Sequence, residues 1–170
     1  NVPYDSAMLF TRHLQRQREV FQNAAAYLEA DPTPTNFVNL TPENSRRFRA
    51  LPVWFTLMAY GREGYREIVM RNCQVAEEIG ELIQDSDRFE LLAPVRMNGI
   101  VFTLAGEAVT HRSVQEYLFR VQADGILYMT PTEYFAAPAI RISVTNWRTT
   151  RQDVSQVWRG MLSALDSAST

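Results

Sequence analysis

The order of helical and strand patterns between residues 47 and 165 is the feature that most restricts the fold. From Gly64 to about Ile83, apolar residues recur every three or four positions, which predicts an amphipathic helix. They are Tyr65, Ile68, Val69, Val75, Ala76, Ile79, Leu82 and Ile83. Two short aliphatic runs follow, at residues 89–93 and 99–104. They predict a strand pair or one bulged hairpin.

The second half of the chain repeats this alternation. Ser113-Val114-Gln115-Glu116 is a capping-box pattern that predicts a helix start, and Gly125 predicts the end of that helix. Strands are expected at residues 126–129 and 139–145, and Thr150 is expected to cap a final helix. This order predicts an α/β fold in which helices cover one face of a small, mostly antiparallel sheet.

Prolines and glycines interrupt the first part of the chain. The segment from Asp31 to Asn36 contains two prolines and predicts a mobile surface excursion over about residues 21–44, because proline removes a donor and restricts the preceding residue. A helical pattern over residues 47–60 contains Pro52 and stops at Gly61. We therefore expect two helices in tandem, bent at Gly61.

The composition excludes several classes of protein. Hydrophobic residues make up 46% of the chain and charged residues 21%, values typical of globular proteins rather than disordered chains. The longest apolar stretch, residues 51–60, is about half the length of a membrane span, so no membrane association is expected. A net charge of -2 disfavours nucleic acid as a partner.

The cysteine and histidine residues predict neither a disulfide nor a metal site. Cys73 is the only cysteine, so no internal disulfide can form and a reducing cytoplasm is the expected location. His13 and His111 are far apart and neither has metal-ligand spacing, so no metal site is expected.

The chain contains no lysine. All 17 basic residues are arginines, which base composition of the gene can explain. Whatever the cause, a mechanism that needs a side-chain amine cannot be run by this chain alone.

The stretch from Ser45 to Phe55, continued by residues 60–64, closely resembles a segment of the group II pyridoxal-phosphate decarboxylases. That family comprises the aromatic-amino-acid, histidine and glutamate decarboxylases, where G-R-R-x-x-x-L-x-x-W followed by x-x-G-x-x-G opens the C-terminal small domain. Three further segments match in the family's order. Residues 1–8 resemble the strand after the histidine-lysine motif, Tyr27-Leu28 resembles the mobile catalytic loop, and residues 139–149 resemble the penultimate strand and turn.

The resemblance implies an aspartate-aminotransferase-like fold, with residues 1–43 ending the large domain plus a mobile loop and residues 44–170 forming the C-terminal small domain. It implies a cytoplasmic homodimer that decarboxylates an L-amino acid. It also implies pyridoxal 5'-phosphate, bound through a lysine ahead of Asn1. The isolated chain is expected to be inactive.

The resemblance also implies roles for four residues. Tyr27 matches the loop tyrosine that protonates the carbanion left by carbon dioxide, and a phenol is a credible donor once water is excluded. Arg141 matches an arginine that meets the substrate carboxylate in glutamate-type members. Ser45 and Arg46 match a Gly-Arg turn near the neighbouring subunit's cofactor, although serine replaces the glycine and puts a close backbone approach in doubt.

Each residue also has a purely structural interpretation. Tyr27 can pack a loop, Arg141 can pair with an acidic neighbour, and Arg46 can begin a solvated helix. Two other functions stay open for the whole chain. One is a non-catalytic C-terminal module for folding and dimerisation, and the other is a different fold-type-I enzyme, such as an aminotransferase or desulfurase.

Overall fold

The structure, a computed structural model, describes residues 4–22, 37–43, 45–106, 108–123 and 125–166. The chain forms two compact units, Val2–Thr56 and Leu57–Thr170, called here the N-terminal and C-terminal units. The expected boundary between residues 43 and 44 refers to domains of a larger enzyme and stays a prediction.

The N-terminal unit contains little regular structure. Helix α1 spans Leu14–Phe21, and a 3-10 helix spans Phe37–Leu40. The Gln17 side chain joins these elements by donating a 2.7 Å hydrogen bond to the carbonyl of Leu40. Described residues 6–10 have no regular secondary structure, whereas the resemblance suggests a strand there. No strand among the described residues pairs with this segment, so its backbone does not join a sheet.

Helix α2 spans Ala50–Gln84 and is broken by Gly61, which has φ 62° and ψ -171°. Only glycine adopts this conformation readily, so the tandem helix bent at Gly61 is confirmed. After the break, the predicted apolar stripe faces the core, where Val75, Ala76 and Ile79 are buried.

Four antiparallel strands form one sheet in the C-terminal unit, in the order β1-β2-β4-β3. They are β1 Phe89–Leu91, β2 Gly99–Leu104, β3 Thr130–Tyr134 and β4 Ala137–Ser143. The strand predicted at residues 126–129 is wrong, because β3 begins only at Thr130. That apolar run reflects burial rather than pairing, since Met129 is buried and Leu127 packs against the core.

Two further helices complete the unit, α3 at His111–Ala123 and α4 at Val154–Asp166. The sheet turns Ile100, Phe102, Ile140 and Ile142 toward the helices, and these side chains are all buried in one core. The helices therefore cover one face of the sheet, as the sequence predicts.

The two predicted helix caps have different outcomes. Helix α3 starts before Ser113, because Thr110 is the capping residue: the Ser113 amide donates to Thr110 Oγ1 at 3.1 Å, and the Thr110 amide donates to Ser113 Oγ at 3.0 Å. The cap at Thr150 is confirmed, with a reciprocal capping box to Asp153 ahead of a 3-10 helix at Arg151–Asp153 that leads into α4.

The β3–β4 hairpin turns through Phe135 and Ala136, which have φ of 47° and 65°. Tight hairpins favour Asn-Gly here because side chains other than glycine are strained at positive φ. Replacing Ala136 by glycine is therefore expected to raise the free energy of unfolding by about 1 kcal/mol, measured by urea denaturation.

The matched control for this prediction is Ala137→Gly, one residue later in β4. Ala137 does not have positive φ, so glycine there relieves no strain and adds freedom to the unfolded chain, and this variant should be less stable than wild type. A shift of the two variants in the same direction would contradict the argument from positive φ.

Candidate carboxylate-binding site

Arg141 lies on β4, paired with Val101 of β2 and Thr130 of β3. Its neighbours Ile140 and Ile142 point into the core, so alternation directs Arg141 to the face that the helices leave open. The side chain is exposed, and no hydrogen bond or ion pair to its guanidinium is found within the described part of the chain. A permanently charged group is thus held on a central strand with its donors available.

The neighbours of Arg141 on this face are Val101, directly opposite it on β2, and several residues that are small or carry hydroxyl groups. Alternation places Gly99 of β2, together with Thr130 and Thr132 of β3, on the same face. A Cβ added at Gly99 would meet no atom within 4 Å, so this part of the face is open. A guanidinium in such surroundings can donate two parallel hydrogen bonds to one carboxylate.

Ser45 and Arg46 are both exposed and lie in the N-terminal unit. Among the described residues other than glycine, only Phe135 and Ala136 have positive φ. Ser45 is therefore not strained by replacing a glycine. Whether its backbone approaches a cofactor stays a prediction.

Arg46 lines a cleft of about 910 Å³ within the N-terminal unit. The cleft is also lined by Arg47, Arg49 and Asp5, and the Glu43 carboxylate lies 3.4 Å from Arg49, so three positive charges meet two carboxylates. Asp5 accepts a hydrogen bond from Arg47 at 2.5 Å and lies 3.3 Å from Arg49 Nε. No ion pair of Arg46 occurs among the residues that the structure describes. The cleft is suited to an anion, and sequence reasoning identified only Arg46 in it.

Tyr27 lies outside the described residues, so its role stays a prediction from the sequence. A different tyrosine, Tyr117, is fully buried in the core and donates a 3.1 Å hydrogen bond to the carbonyl of Met161. Burial raises the pKa of Tyr117 well above its usual value. Tyr117 therefore stays neutral and stabilises the contact between α3 and α4.

The described residues contain no group of three or more His, Cys, Asp or Glu side chains that could hold a metal ion. The helices in this same part of the chain are also too short or too polar to cross a membrane.

The C-terminal unit is thus a small α/β fold with an exposed guanidinium, that of Arg141, on the open face of its sheet. Residues 1–105 match the family model for the pyridoxal-dependent decarboxylase conserved domain. The chain belongs to this family, as the sequence resemblance indicated.

Curated relatives agree with the family match. The chain is 28% identical to a histidine decarboxylase of Drosophila melanogaster over 92% of its own length and 18% of the relative's. It is 30% identical to the aromatic-L-amino-acid decarboxylase of the same species over 71% of this chain and 23% of that protein. The chain thus spans about a fifth of these two relatives.

Solved structures show the same fold. A Catharanthus roseus tryptophan decarboxylase in complex with L-tryptophan matches 77% of this chain and 29% of its own, with a TM-score of 0.67 and 23% identity. Mouse CSAD in its apo form matches 91% of this chain and 34% of its own, with a TM-score of 0.72 and 14% identity. The expected aspartate-aminotransferase-like fold is confirmed.

Pyridoxal phosphate is the cofactor of this family, which confirms the expectation at the level of the family. Such enzymes anchor the cofactor through a lysine amine. The 17 basic residues of this chain are all arginines, so these 170 residues do not supply the anchor.

Proposed function

We propose that this chain is part of a pyridoxal-phosphate-dependent decarboxylase that removes the α-carboxylate of an L-amino acid. In this proposal the cofactor lysine comes from polypeptide outside these 170 residues, and the longer protein is called the full-length enzyme below. The observation that carries the proposal is the exposed guanidinium of Arg141 on the open face of β4. By itself the 170-residue chain is proposed to be inactive.

Arg141 acts in this proposal by orienting the substrate. The cofactor supplies the electron sink when it is bound, and the protein aligns the bond to be broken. Equal binding of ground and transition states gives no acceleration, so Arg141 contributes by restricting the carboxylate to one orientation. Its pairing on both sides, with Val101 and Thr130, supports this role because it holds the backbone of Arg141 rigidly.

The other proposed residues donate a proton or lie close to the cofactor. Tyr27 is proposed to protonate the reacting carbon after carbon dioxide leaves. Ser45 and Arg46 are proposed to lie near the cofactor of the neighbouring subunit. The excess positive charge of the cleft that Arg46 lines supports the proximity of an anionic group.

The test is carbon dioxide release from a panel of L-amino acids by the full-length enzyme. Release with formation of the matching amine supports the proposal, whereas an aminotransferase would release none. If the intact mass equals that of this chain and no visible cofactor band is seen, the alternative of a non-catalytic folding and dimerisation module is favoured. A cytoplasmic location is also proposed, since free Cys73 suits a reducing compartment.

A homodimer is proposed from the apolar surface at the start of α2. Phe48, Leu51, Trp54 and Phe55 are between 38% and 67% exposed, although they are large and apolar. Clusters of this kind mark interaction surfaces. Replacing Trp54 by glutamate is therefore expected to raise the dimer dissociation constant of the full-length enzyme by about tenfold or more, measured by analytical ultracentrifugation.

The matched control is Tyr128→Glu, which places the same charge at an aromatic residue that is 75% exposed in the C-terminal unit. This control should leave the dissociation constant unchanged. If both variants dissociate equally, or neither does, the surface at Trp54 is not the interface.

A further inference from the structure

Arg71 of α2 binds the segment that follows β4, called here the connector, residues 144–150. Its Nε donates to the carbonyl of Thr149 at 3.0 Å, and its Nη2 donates to the carbonyl of Trp147 at 2.6 Å. Its Nη1 pairs with Glu67, one turn earlier on the same helix. All three nitrogens of the guanidinium are therefore used, and two of them hold backbone of the connector.

The strand register shows why this contact matters for Arg141. The pairing of β3 with β4 ends at Thr130 and Arg141, so Arg141 is the last residue of β4 supported from both sides. Beyond it, Ile142 and Ser143 pair with β2 alone. The side of β4 that faces β3 has no strand partner there among the described residues.

The chain after β4 is then fixed at two places. At the first, the Val144 amide donates to the carbonyl of Asn98 at 2.9 Å, and Asn98 Nδ2 donates to the carbonyl of Val144 at 3.0 Å. The second is the pair of hydrogen bonds from Arg71. These bonds come from a charged donor, which makes them stronger than bonds between neutral groups. The side chain of Arg71 is only 22% exposed, which limits competition from water.

Two weaker contacts support the same connection. The ring of Tyr60 on α2 lies 6.3 Å from the ring of Trp147, and Arg151 just after the connector pairs with Glu78 of α2. Tyr60 and Glu78 flank Arg71 along the helix, so Arg71 is the central and most buried of the three contacts.

We propose that Arg71 is a positioning residue for Arg141. By fixing the connector to α2, it holds the last two residues of β4, Ile142 and Ser143, which β3 does not support, and so keeps the Arg141 guanidinium in register for a substrate carboxylate. The inference rests on the proposed function, because it concerns the placement of the proposed carboxylate-binding residue.

The test uses Arg71→Met and Arg71→Lys in the full-length enzyme, with Arg66→Met as the matched control. Arg66 is on the same helix, but its side chain is 66% exposed. Its ion pair is with Glu63 at the surface, at a distance of 3.7 Å. Arg71→Met is expected to lower kcat/KM about tenfold, because a displacement on the order of 1 Å can cost up to about a hundredfold. Lysine keeps the charge but not the fork, so Arg71→Lys should fall between Arg71→Met and wild type. The Arg66 control should leave kcat/KM unchanged.

A double-mutant cycle with Arg141→Met separates positioning from a general structural role. If Arg71 acts through Arg141, Arg71→Met should cause no further loss when Arg141 is already methionine. An equal fold-loss on both backgrounds would overturn the proposal.

Hydrogen exchange supplies a measurement that does not depend on decarboxylation. In Arg71→Met, exchange of the Val144 and Thr149 amides should rise about tenfold or more, while amides of β1 and α3 keep their protection. Faster exchange throughout the C-terminal unit would show a merely structural role and overturn the proposal. If the enzyme releases no carbon dioxide but the connector alone loosens, the proposed function fails while the connection through Arg71 stands.

Discussion

Replacing Arg141 by methionine is expected to lower kcat/KM for decarboxylation by the full-length enzyme about a hundredfold or more. Each hydrogen bond from a charged donor contributes about 1.5 to 3 kcal/mol, and about 1.4 kcal/mol corresponds to a factor of ten in rate. Two such bonds contribute at least about 3 kcal/mol, so a loss of about a hundredfold is the lower end of the expected range. Steady-state kinetics with carbon dioxide detection measures it.

Two further variants make this prediction specific. Arg141→Lys keeps the charge but loses the planar fork, so a loss of about tenfold is expected. Arg112→Met removes an arginine that is 88% exposed on α3 and should leave kcat/KM unchanged. Because Arg141 is exposed, its replacement should change the free energy of unfolding by only about 0.5 kcal/mol or less. Wild-type kinetics in Arg141→Met would remove the basis of the proposed function.

Replacing Tyr27 by phenylalanine should lower the rate of amine formation by about a hundredfold to ten-thousandfold. This range is the usual contribution of a positioned proton donor, and phenylalanine removes only the hydroxyl group. The ring is retained, so substrate affinity should change little. Chromatographic measurement of the amine, together with binding measured by titration, separates the two effects.

The control for Tyr27→Phe is Tyr128→Phe, which removes a hydroxyl from an exposed tyrosine of the C-terminal unit. It should form amine at the wild-type rate. Unchanged amine formation in Tyr27→Phe would assign proton donation to another group and leave Tyr27 with a packing role.

The sequence predicted the elements whose pattern reflects burial. The stripe of α2 and the alternation in β4 both follow from contact with one core, and the same alternation indicates that Arg141 points outward. The prediction failed at residues 126–129, where Leu127 and Met129 are apolar because they pack, not because they pair. An apolar run indicates that side chains are buried, but it does not show that the backbone pairs with another strand.

Prediction of the helix caps from sequence has a related limit. Thr110 and Ser113 both have hydroxyl groups suitable for a cap, so the pattern at Ser113 to Glu116 was a reasonable but wrong start for α3. At Thr150 the sequence predicted the cap, and the structure adds the local reciprocal bond to Asp153. Two hydroxyl residues three positions apart are both favourable caps, and the local pattern does not choose between them.

The sequence by itself determined the alternation of helices and strands, the break at Gly61 and the absence of a lysine amine, because these depend on composition and on neighbours within a few residues. Only the tertiary structure decided where β3 begins and which backbone Arg71 binds, since Arg71 and Thr149 are 78 residues apart in the chain. Contacts at such separations depend on how the elements pack, and no local pattern of residues encodes them.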